Sequence, residues 1–65
     1  MIAVSRLATL HALYLQILHG NMVDAGEEVK KDVSEEVCKK WMDLKGVYRE
    51  QLYVDFATEL ASQNL

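Results

Sequence analysis

The sequence predicts an all-α protein: a short helix over about residues 2–19 and a long one over about 25–62, paired as a hairpin. Several copies are expected to assemble into a helical bundle. Three observations carry that reading. Apolar residues make up 51% of the chain and recur at helical spacing through most of it. Proline is absent, so no position is closed to helix on that ground. The 65 residues contain one cysteine, Cys38, so neither an internal disulfide nor a Cys/His zinc cluster can support so small a core. Association with other chains is the remaining source of stability, and residues 1–65 read as one domain.

At 100° per residue the first helix gathers Val4, Leu7, Leu10, Tyr14, Leu15, Ile17 and Leu18 on one broad apolar arc. Ser5, Thr9 and Gln16 mark a narrow polar side, with Arg6 at its edge and Ile2 and Leu13 close by. Apolar surface therefore extends nearly around this helix, and a single neighbour would not cover it. The stretch from Met1 to Leu18 is interrupted by Arg6, His11 and Gln16 and falls short of the ~20 residues a bilayer span needs. With no small-residue cleavage site after Leu18 it also does not read as a signal peptide.

The seam between the helices falls at His19-Gly20-Asn21, where Gly20 can take the left-handed conformation that ends a helix. Asp24 with Glu27, or Asp32 with Glu35, then resembles a capping box for the second helix. Along that helix Val33, Val37, Trp41, Leu44, Tyr48, Leu52 and Phe56 fall on one stripe, close to an eleven-residue repeat. Glu27–Lys31, Glu35–Lys39 and Glu36–Lys40 form acid-first i,i+4 pairs. Gly46 is the one interior breaker, and no Ser, Thr, Asp or Asn follows it closely as a cap. A continuous helix, bent at Gly46, is favoured, with three helices the alternative if Gly46 breaks the second.

Lengths sharpen the expectation of assembly. The first helix would run about 27 Å and the second about 57 Å at 1.5 Å per residue. A two-helix hairpin would leave the stretch from Trp41 to Phe56 uncovered, and exposed apolar surface of that size marks an interaction site.

Composition excludes several functions. Ten acidic and seven basic residues give a net charge of −3, which argues against nucleic acid as a partner. The charges are segregated, with Arg6 alone before residue 24 and fourteen charged side chains between 24 and 50. A lone cysteine fits a reducing cytoplasm. No nucleophile–base pair, carboxylate pair or glycine-rich loop is present, so no catalytic residue, cofactor or metal site is expected.

The reading that remains is a noncatalytic protein–protein interaction module: a small homo-oligomeric regulator, adaptor or inhibitor. It would bind itself and another protein through apolar helix faces, and no membrane. The expected interface residues are Leu7, Leu10, His11, Tyr14, Ile17, Trp41, Tyr48, Leu52 and Phe56. The alternative is an oligomer that sequesters a small anionic molecule such as a nucleotide between chains, with His11, Tyr14, Lys31 and Arg49 as ligand residues. His11 is expected inside the apolar arc, as a satisfied partly buried histidine or a pH-sensitive contact in a seam. His19 reads as a last-turn complement to the helix dipole, and Cys38 as an inert residue at the core border. The size and plain helicity are in the style of small phage- or plasmid-encoded proteins, with no family motif to carry the likeness.

Overall fold

In the computed structural model, which describes residues 4–63 and side chains from 7 to 62, the described residues are helices and turns without strands. The order is α1 (Val4–His19), a 3₁₀ turn (Met22–Asp24), α2 (Glu27–Lys30), α3 (Glu35–Asp43) and α4 (Arg49–Gln63). The all-α expectation holds. The single long helix does not, because the stretch expected to run from 25 to 62 is divided twice, at Lys31–Ser34 and at Leu44–Tyr48. Ile2 lies outside the described residues.

Each boundary has a local cause. Gly20, at φ 77°, ends α1 in the left-handed conformation, its N–H donating to the Gln16 carbonyl at 3.0 Å. Asp24 closes the 3₁₀ turn instead of capping a helix, and α2 starts after Gly26 with no side-chain cap. Lacking a cap and only four residues long, α2 is too short to persist alone. The cap of α3 is Ser34, not Asp32: Ser34 is extended and its hydroxyl accepts from the Val37 N–H at 3.3 Å. Glu35 and Glu36 follow in the first turn, where negative charge complements the helix dipole. Ser34→Ala should lower stability by about 1 kcal/mol, the usual worth of such a cap. A melting temperature equal to the parent's would show that the Ser34 bond does not hold the helix start.

The second break is at Gly46, whose φ of 82° turns the chain back toward α1. The N–H groups of Leu44, Lys45 and Val47 are bonded within this turn. Helix α4 then begins with a backbone bond from the Leu52 N–H to the Tyr48 carbonyl at 3.0 Å. The missing cap residue suggested continuity; the left-handed glycine and the burial of Leu52 prevail over it. With the helix stopping at Lys30, Glu27 pairs with Lys30 at 3.7 Å in place of Lys31, while Glu35–Lys39 forms as expected at 3.9 Å.

Helices α3 and α4 both pack on α1 and scarcely on each other. The main cluster joins Ala8, Ala12 and Leu15 of α1 to Val37 and Trp41 of α3, with Met22, Ala25, Val29, Val33 and Leu44 around it. Helix α4 runs antiparallel to α1: Arg49 reaches the Ile17 carbonyl, and Asp55 and Glu59 lie by Leu13 and Thr9.

The phase of α1 differs from the expected one. Ala8, Ala12, Leu13, Leu15 and Gln16 are buried, whereas Leu7, His11, Tyr14 and Leu18 are exposed. The cause is steric. Trp41 is fully enclosed, and so large a ring fits against a helix only where the facing residues are small. Ala8 and Ala12 provide that floor, with Leu15 beside them, and this phase leaves Leu7, Tyr14 and Leu18 facing outward. Gln16 is carried inward with them; its Nε2 donates to Asn21 Oδ1 at 2.8 Å, and its Oε1 is buried without a partner among the described residues.

Candidate functional site

The expected interface residues divide into two sets. Trp41 and Leu52 are enclosed by their own chain and are unavailable to a partner. Trp41 Nε1 donates to the Gly20 carbonyl at 2.9 Å, fastening α3 to the end of α1, and the His19 ring lies tilted 6.5 Å from the indole. His19 thus occupies the expected last turn of α1, exposed. Leu10, Ile17 and Phe56 are half-buried at the margins of the core. The rest are open: Leu7 is 49% exposed, Tyr14 50% and Tyr48 81%, with His11 exposed as well.

Burial of His11 is therefore corrected. Its position follows from the same rotation of α1: it lies one turn from Leu7 and from Tyr14 on the outward side. Leu18, 56% exposed, continues that line. Leu7, His11, Tyr14 and Leu18 form an outward stripe on the helix that has the fewest charges in the chain. Leu10 and Ile17 border it on the side facing α4.

Helix α4 adds residues outside the expected interface set. Tyr53 and Leu60 are each about half exposed, and with Arg49 they share one side of α4. Arg49 Nη1 donates to the Ile17 carbonyl at 3.4 Å and to Tyr53 Oη at 3.5 Å, which sets this side of α4 beside the C-terminal half of α1. The signal was present in the 4-3-4 spacing of Arg49, Tyr53, Phe56 and Leu60. It was masked by assigning Phe56 to a stripe that ran unbroken from Val33.

Among the described residues the four candidate ligand residues share neither of two clefts. Lys31 is exposed in the turn after α2, and Arg49 is engaged with Ile17 and Tyr53. A cleft of about 300 Å³ lies where α3 and α4 diverge over α1, and none of the four lines it. Its ionisable lining is Asp43, Asp55 and Glu59 against Lys40 alone, the wrong balance for an anion. Among the described residues no three His, Cys, Asp or Glu side chains are placed to hold a metal ion. Cys38 is half-buried with its Sγ 3.9 Å from the Val33 carbonyl, in keeping with a border residue.

Among the described residues no helix is long and apolar enough to cross a membrane. The open apolar side of α1, flanked by α4, is the feature most suited to a function, and its chemistry is that of a contact surface. No family model, curated protein or solved structure matches the chain.

Proposed function

We propose that this chain is a noncatalytic protein–protein interaction module, a small helical regulator, adaptor or inhibitor that assembles with copies of itself. One observation carries the reading. Leu7, Tyr14 and Leu18 stand about half exposed on one side of α1, outside the core formed by Ala8, Ala12, Leu13 and Leu15. Contiguous apolar surface on a small protein marks an interaction site, and aromatic side chains such as Tyr14 are favoured anchors in interfaces. The small core supports the same reading, since burial of this face would add to the stability of a chain of 65 residues. The unpaired Cys38 suits a reducing compartment such as the cytoplasm.

Sedimentation at micromolar to submillimolar concentrations tests it. The parent chain should show a mass above 7.4 kDa that rises with concentration. Tyr14→Lys combined with Leu18→Lys should return it to the monomer with its helicity retained, because charge placed on the stripe must be desolvated on contact. A parent chain that stays folded and monomeric throughout the range would overturn the assignment.

A further inference from the structure

We infer that the outward stripe of α1 receives the same stripe of a second copy, running antiparallel about a two-fold axis between His11 and Tyr14. This rests on the interaction-module reading and names its partner and geometry. The stripe Leu7, His11, Tyr14, Leu18 has 4-3-4 spacing, which reads the same in both directions. In a two-fold contact residue i meets residue j while j meets i, and this spacing lets every member of the stripe find one opposite it. Laid antiparallel, Leu7 meets the partner's Leu18 at each end, and His11 meets the partner's Tyr14 twice at the centre. Imidazole and phenol can there donate and accept a hydrogen bond, so the polar atoms on the stripe find partners as it leaves water. A parallel pairing would set imidazole against imidazole and phenol against phenol.

Charge points to the same occupant. From Leu7 to His19 the helix carries no formal charge, histidine being counted neutral. A partner bearing charged side chains on its contact face would have to bury them without a counter-charge, which is unfavourable. A second copy presents a face equally free of charge. The area suits a weak contact: the exposed side chains of the stripe, with the margins of Leu10 and Ile17, offer at most roughly 400–500 Å² per chain, which keeps the total below the roughly 1,200 Å² at which stable interfaces begin. Such a dimer would form reversibly, with a Kd in the micromolar range.

Disulfide trapping in a Cys38→Ala background tests the geometry. Leu7→Cys and Leu18→Cys are made separately and together; both positions are half exposed, so the folded chain tolerates them. Under mild oxidation the two single variants should cross-link when mixed and not when alone. Like positions would lie about 16 Å apart along the axis, beyond the reach of a disulfide. The double variant should stop at a covalent dimer, without longer polymers. A second measurement is independent of cysteine chemistry. His11→Glu and Tyr14→Lys should each raise Kd by about tenfold or more. The two together should recover most of the loss, since each introduced carboxylate then faces the ammonium introduced on the other copy. Cross-linking by either single variant alone would overturn the antiparallel pairing. So would an oligomer that traps at neither position and shows no charge rescue, while leaving the interaction-module reading in place. A parent chain that sediments as a monomer would overturn both.

Discussion

Replacing Trp41 with alanine should unfold the isolated chain, or bring it close to unfolding, at room temperature. The indole is completely enclosed within the cluster of Ala8, Ala12, Leu15 and Val37. Truncating an aromatic side chain in such a place typically costs about 3–5 kcal/mol. A single core in a chain this short rarely supplies more than about 3–5 kcal/mol, so little or nothing would remain. The bond from Nε1 to the Gly20 carbonyl is lost as well. That carbonyl belongs to a half-buried residue, where water can replace part of the bond, so packing dominates the loss. Trp41→Phe separates the contributions: it keeps most of the ring volume and should cost about 1–3 kcal/mol, leaving a folded protein. Helical circular dichroism during thermal melting reads both variants. An alanine variant that melts within a few degrees of the parent would mean that Trp41 does not occupy the core.

Leu52→Ala is expected to act more locally, at a cost of about 2–5 kcal/mol. Leu52 is the buried apolar residue of α4, and α4 docks on α1 while scarcely touching α3. Its loss should therefore release α4 before it disturbs the contact between α1 and α3. Hydrogen exchange followed by residue should show amide protection falling in Arg49–Gln63 while Val4–His19 and Glu35–Asp43 retain theirs, a sub-global opening. Uniform loss of protection across all three helices would show that the chain unfolds as one unit and that α4 is integral to it.

The sequence reveals the helical class, the end of α1 at Gly20 and the importance of Trp41, because each depends on local pattern or sheer size. A glycine in the left-handed region and a large indole on an apolar stripe leave few alternatives. The two breaks in the second half were less legible. Ser34 followed by Glu35 and Glu36 is a recognisable helix start, yet the acid–base pairs spanning residues 27–40 suggested that the helix passed through it. At Gly46 the decisive influence is tertiary: α4 folds back because Leu52 finds a place on α1, and no residue near Tyr48 advertises that.

The phase of α1 was the hardest to read. A helix apolar on most of its circumference has no strong preference for one inward side. The choice was made by the shape of its neighbour, Trp41, which no pattern within residues 4–19 encodes. Four consequences follow from that single rotation: the exposure of His11, the burial of Gln16, the inward alanines and the outward stripe. Of the residues expected at an interface, Leu7, His11 and Tyr14 lie exposed on α1, whereas Trp41 and Leu52 are enclosed by their own chain, because a long stripe without breaks gives no sign of which residues that chain will cover.

Two small residues of α1, Ala8 and Ala12, face Trp41 while Leu7, Tyr14 and Leu18 face away, and this arrangement bears on how such a protein can change over generations. Ala8 and Ala12 are constrained by the ring they accommodate, so almost any enlargement there would displace Trp41. Leu7, Tyr14 and Leu18 are under no such constraint from the fold. Inheritance of the shape and inheritance of the contact are thus entrusted to different positions on the same sixteen-residue helix. A lineage could exchange one contact for another by altering the outward residues alone, trying new associations while the alanine floor keeps the monomer's architecture unchanged.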